Sequence, residues 1–382
     1  MFREPSGGDA SDASEPSLPA GFVRSRRKGI RIIAVSGAKG GVGKSLVSTN
    51  LAIYLATIGR KVVVVDADSD GANLHTFLGV DRPGFLATYV PPMPSFRFAP
   101  GSEAAAEAAA NETTRSVPVR KLHPLGFGKG RPARTRALNE ATSPDDPIET
   151  PIPGLKLLHA GLDEPPRGTS RRRTLRSLLS RLRALDAEYA VVDLGCGTGV
   201  GLLDFWLGAD VSIFVSLPEP TAIENTYRFV RFAFARYVRS LESDPASRAR
   251  LVRKQRALGN APPPLDLVRA LDGERDPLAS VVRQAMDSFR FRMVFNQTRL
   301  RADLELGDRM RSASLRRLGI HLEYLGYIDS DDTVWSCVRS RRPLLVESPG
   351  TKASKSIEKI ARRLLAIDAG KGRSRPLRTA PP

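Results

Sequence analysis

The stretch GAKGGVGKS, from Gly37 to Ser45, places four glycines, two lysines and a hydroxyl in nine residues. Glycines in such a loop let backbone N–H groups turn toward a bound phosphate. Lys44 is spaced to reach the outer phosphate oxygens, and Ser45 offers a hydroxyl to Mg2+. Gly37, Gly40, Gly41, Val42, Gly43, Lys44, Ser45 and Leu46 are the candidate phosphate-binding positions. A loop of the form GxxxxGK[ST] needs only Lys44, so Lys39 is a second cation that phosphate binding within one chain does not require.

Carboxylates follow two other apolar runs. VDADSDGANLH carries Asp66, Asp68 and Asp70, and YAVVDLGCGTG carries Asp193 with Gly197 four residues later. A carboxylate within hydrogen-bond reach of a water is what phosphoryl transfer to water requires. The plainer reading of Asp66 and Asp68, a pair of turn aspartates ending a strand, stays open at this point.

These residues need elements to hold them. IRIIAVSG is a short β-rich run entering the glycine loop, and KSLVSTNLAIYLATIG continues at helical spacing until Gly59. KVVVVDAD, GLKLLHAG, YAVVDLG, VSIFVSL, RMVFNQ and LEYLGYI read as further strands with helical patterns between most of them. Continuous apolar strands of this kind predict an α/β fold, a doubly wound, mostly parallel sheet of about seven strands with helices on both faces. Residues 1–29 read as a disordered leader, 30–368 as one domain and 369–382 as a disordered basic tail. Within the domain, about 92–150 reads as a flexible insertion and about 241–286 as a helical one.

Composition narrows the classes. The 382 residues hold no run of 18 apolar residues, and the first twenty lack an apolar segment after a basic start. A cytoplasmic protein is expected, with peripheral attachment to membrane or nucleoid left open. Cys196 and Cys337 are the only cysteines, too few for a disulfide framework. A formal charge of +18 would attract polyanions, yet only 12 of the 59 basic residues are lysine, and an arginine-biased genome would produce the same excess.

The KGGVGKS string resembles the deviant Walker A motif of the MinD/ParA family of dimerising ATPases, P-loop NTPases of the SIMIBI class. GANLHT, LDAEYAVVDLG, PEPTAIENTYRF and EYLGYIDSDDTVW are similar to the MinD-like regulators of flagellar number, the FlhG branch. The resemblance spans about residues 30–366 apart from the two insertions. It implies ATP and Mg2+ as ligands, slow ATP hydrolysis, an ATP-dependent homodimer and a protein activator or cargo. It implies that Lys39 crosses to the partner's nucleotide. Asp66 and Asp193 would reach Mg2+ through water, Asp68 would orient the attacking water, Gly197 would belong to a second switch and Asn296 would bond adenine. Arg299 stands where a guanine reader needs an acid. Leu46 and Asp70 depart from the family pattern, the first losing a hydroxyl near the α-phosphate and the second adding charge near the γ-phosphate.

Two other readings rest on particular residues. A ParA-like DNA partition ATPase would use RGTSRRRTLRSLLSRLRALD, whose Leu175, Leu178, Leu179, Leu182 and Leu185 leave Arg172, Arg173, Arg176, Arg181 and Arg183 largely outside. An iron–sulfur protein of the nitrogenase-iron-protein type would use Cys196, three residues after Asp193. The amphipathic segment SIEKIARRLLAI could meet an anionic membrane, but reads better as the domain's last helix.

Overall fold

The computed structural model describes residues 29–68, 73–80, 146–160 and 171–370, without the side chains of 171–174, 301, 302, 304 and 368–370. Eight strands form one sheet: β1 Arg31–Gly37, β2 Val62–Ala67, β3 Ile148–Glu149, β4 Leu155–His159, β5 Tyr189–Cys196, β6 Val211–Ser216, β7 Phe291–Thr298 and β8 Leu322–Asp329. Their order is β3-β4-β2-β5-β1-β6-β7-β8, and every pair is parallel except β3 with β4. The helices are α1 Lys44–Thr57, α2 Leu74–Leu78, α3 Arg171–Arg183, α4 Val200–Gly208, α5 Pro220–Leu241, α6 Pro245–Ala257, α7 Pro264–Gly273, α8 Leu278–Ser288, α9 Arg301–Leu318, α10 Asp332–Arg339, α11 Leu344–Glu347 and α12 Lys352–Gly370.

The period of two along β1 explains why the sheet is covered twice. Ile32 and Ala34 enter one core with residues of α3 to α9, while Ile33 and Val35 enter the other with α1, α2, α10, α11 and α12. Strands buried on both faces have no polar side to show, which is why they read as unbroken apolar runs. The chain runs from β1 out to β2 and β4, returns through β5, then crosses to β6. The end of β1 is therefore the switch point of the sheet, where ligands bind in open α/β folds.

Register does the rest. Asp66 on β2 stands directly opposite Asp193 on β5, and Gly37 on β1 opposite Cys196 on β5 and Val215 on β6. All the strand ends that carry candidate chemistry thus share one edge.

The sheet has one strand more than the apolar runs predict. β3 is two residues long, too short for any periodicity, and exists because it pairs antiparallel with β4, with Glu149 2.7 Å from Lys156. It falls in the last residues of the predicted 92–150 insertion, of which 92–145 lie outside the described residues. Between α5 and β7 stand three helices, α6 to α8. The prolines of NAPPPLD do not interrupt a helix, because Pro264 occupies the first turn of α7, where a missing N–H costs nothing. The leader up to residue 28 and the tail from 371 lie outside the described residues.

Candidate functional site

The phosphate loop runs from the end of β1 to the start of α1. Gly41 and Gly43 have φ of +76° and +89°, the left-handed region that only glycine enters at no steric cost. Gly37 is needed for space instead: a Cβ there would lie 2.7 Å from Val42 Cγ2 and 2.9 Å from Lys44 Cγ. Val42 is buried beneath the loop, and Leu46 points into the same core. The Leu46 side chain is therefore a packing residue.

Inside the mouth, Lys44 is buried with its Nζ 3.7 Å from Asp68 Oδ2. Ser45 Oγ donates to Asp193 Oδ2 at 2.6 Å. Asp66 Oδ2 accepts the Leu74 backbone N–H at 2.9 Å, tying the start of α2 to the end of β2. Burial pushes the Asp193 carboxyl up to about 7, with Asp66 and Asp68 adding to the rise and the Ser45 hydrogen bond and Lys44 opposing it. Asp193 Oδ1 is buried with no hydrogen-bond partner.

A buried carboxylate with a spare oxygen, beside a hydroxyl and a second aspartate, fits a hard cation that takes oxygen ligands. Among the described residues no group of three or more His, Cys, Asp and Glu side chains could hold a metal alone, so phosphate oxygens and waters must complete any Mg2+ shell here. Gly197 has φ +101° and is exposed, at the turn between β5 and α4. Asp70 lies outside the described residues.

Three sequence-read residues have contacts that their types alone do not announce. Lys39 Nζ lies 2.8 Å from Glu219 Oε2, with 39% of the lysine side chain exposed. Asn296 is buried at the end of β7 and donates from Nδ2 to the Val42 carbonyl at 2.8 Å. Arg299 Nε donates to Ser330 Oγ at 3.3 Å, lying against the loop after β8. Glu219 was not singled out from the sequence; the available signal was an acid directly before Pro220, at the start of the helix following β6.

The residues of the other readings are placed elsewhere. In α3, Leu175, Leu178 and Leu182 are buried; Arg176 reaches Asp204 at 3.5 Å and Arg183 the Gly208 carbonyl at 3.4 Å. The side chains of Arg172 and Arg173 are outside those described. In α12, Ile357, Ile360 and Leu364 pack into the core, so the apolar face of SIEKIARRLLAI is spent on the fold. Cys196 is half-buried at the end of β5 and Cys337 is buried in α10. No described helix is long and apolar enough to cross a membrane.

A family model for the CobQ/CobB/MinD/ParA nucleotide-binding domain matches residues 33–344, the loop, both aspartate strands and Asn296 included. The chain belongs to that family. Among curated relatives, the antiactivator FleN of Pseudomonas aeruginosa is 48% identical over 61 residues, 16% of this chain and 22% of that protein. The iron–sulfur cluster carrier protein of Escherichia coli K12 is 53% identical over 51 residues, 13% of this chain and 14% of that protein. The chain thus spans less than a quarter of either relative. Among solved structures, MinD of Pyrococcus horikoshii complexed with Mg-ADP is 18% identical with a TM-score of 0.47, covering 90% of this chain and 99% of that one. MinD of Aquifex aeolicus is 17% identical with a TM-score of 0.44, covering 91% and 99%.

Proposed function

We propose that this CobQ/CobB/MinD/ParA-domain protein is an ATP-driven dimerisation switch that binds ATP with Mg2+, hydrolyses it slowly and regulates the positioning or assembly of a cellular structure, in the manner of the MinD and FlhG branch. The observation that carries the reading is the division of labour between two lysines. Lys44 is buried among the site's carboxylates, while Lys39, five residues earlier in the same loop, is exposed and held by Glu219. A lysine that leaves its own phosphate site is available to a second subunit.

Within one chain, the loop amides and Lys44 bind the polyphosphate. Ser45, Asp66 and Asp193 would hold Mg2+, and Asp68 would orient the attacking water. When bound, Mg2+ neutralises charge on the transferring phosphoryl group. Lys44 Nζ lies 3.7 Å from Asp68 Oδ2, so the cation assigned to phosphate and the carboxylate assigned to the attacking water stand side by side. A protein activator or cargo follows from the same reading.

Light scattering with a non-hydrolysable ATP analogue tests the proposal. Wild-type protein should dimerise; Lys39→Ala should bind the analogue as a monomer and not turn over ATP; Lys44→Ala should bind it roughly 10- to 100-fold more weakly and stay monomeric at a concentration that saturates wild type. Mixed with wild type, Lys39→Ala subunits should contribute a usable nucleotide site. Normal dimerisation of Lys39→Ala overturns the role in trans.

A further inference from the structure

Asn296 is 254 residues from the loop it touches and 3% exposed. Its Nδ2 donates to the Val42 carbonyl at 2.8 Å, and a Cβ on Gly43 would fall 2.1 Å from that nitrogen. The amide is seated against the peptide that joins Val42 to Gly43. A trans peptide carries its C=O and N–H on opposite sides of the chain. Holding the Val42 carbonyl on Asn296 therefore turns the Gly43 N–H to the other side. Gly43 is the residue before α1, so this N–H is among the donors that a helix N-terminus leaves without intrahelical partners, the kind that binds phosphate.

We propose that Asn296 is a positioning residue for the phosphate loop. Its hydrogen bond to Val42 sets the 42–43 peptide, and with it a phosphate-binding amide, so Asn296 governs affinity for the polyphosphate whatever base is attached. The inference rests on the nucleotide-binding reading above and adds to the base contact that the family resemblance implies. A reader of adenine alone would leave base-free ligands unaffected; a strut of the loop would not. Gly43 follows from the same contact, since any side chain there would displace the amide as well as strain a backbone at φ +89°.

The test compares wild type with Asn296→Asp and Asn296→Leu, which keep roughly the size of the side chain and remove the donor. Each is titrated calorimetrically with Mg-ATP, Mg-GTP and magnesium tripolyphosphate, which has no base. Both variants should lose roughly tenfold or more in affinity for tripolyphosphate and for ATP alike, as expected for a charge-linked hydrogen bond lost. Hydrogen exchange of the ligand-free proteins supplies the second readout: the amides of residues 38–44 should exchange faster in the variants while the remaining β-sheet is unchanged. Asn296→Ala, which also lacks the donor, replaces either variant that does not fold. Variants that bind tripolyphosphate as wild type does, or whose loop amides exchange at the wild-type rate, overturn the inference. Failure of wild type to bind ATP would instead overturn the nucleotide-binding reading.

Discussion

Lys39 Nζ lies 2.8 Å from Glu219 Oε2 of its own chain, with 39% and 51% of the two side chains exposed. A pair so open to solvent is worth at most about 1 kcal/mol. A dimer gives up two such pairs, so if they compete with the partner's nucleotide for Lys39, Glu219→Gln should raise the ATP-dependent dimerisation constant by no more than about thirtyfold. Sedimentation velocity across a concentration series measures this. A weaker dimer would mean that Glu219 itself acts across the interface.

Lys44 and Asp68, 3.7 Å apart, should separate on mutation. Lys44→Ala should cost roughly 10- to 100-fold in ATP affinity, because a buried charge-assisted contact to phosphate is lost. Asp68→Ala should bind ATP at least as well as wild type, since it frees Lys44, but turn over about 100-fold more slowly without its water-orienting carboxylate. Calorimetry and steady-state phosphate release separate the two effects.

The buried Asp193 carboxyl, raised from 3.8 to about 7, makes the nucleotide-free protein sensitive to pH. Between those values the native state holds a proton that the unfolded chain has released, so this group's contribution to stability falls as pH rises from about 4 to about 7. Mg-nucleotide favours the ionised form and should flatten the slope. Asp193→Asn should flatten it without Mg2+. Thermal midpoints across this range, with and without Mg-ADP, check the sign.

Gly307 tests packing against propensity. It lies inside α9, where alanine is intrinsically better by about 1 kcal/mol. A Cβ there would lie 2.3 Å from the Tyr324 ring, whose hydroxyl is already buried without a partner. The ring belongs to β8 and cannot swing aside as a long flexible chain can. Gly307→Ala should therefore destabilise by about 1–3 kcal/mol, the cost of overpacking. A raised denaturant midpoint would show that the helix and strand can part.

How much the sequence determined depends on whether a feature is local. The phosphate loop was legible because its chemistry needs glycines, a lysine and a hydroxyl at fixed spacing between a strand and a helix, all within Gly37–Ser45. The central strands β1, β2, β5 and β6 were legible because burial on both faces leaves few polar positions, as in the four valines that open β2. What tertiary structure decided are the contacts between distant segments: Asp66 opposite Asp193 through strand register, Lys39 on Glu219 across 180 residues, and Asn296 on Val42 across 254. The short β3 belongs with them, since an edge pair of two residues exists only where β4 offers its hydrogen bonds. Residue type and spacing specify what a side chain can do. Only the order of strands in the sheet brings its partner within reach.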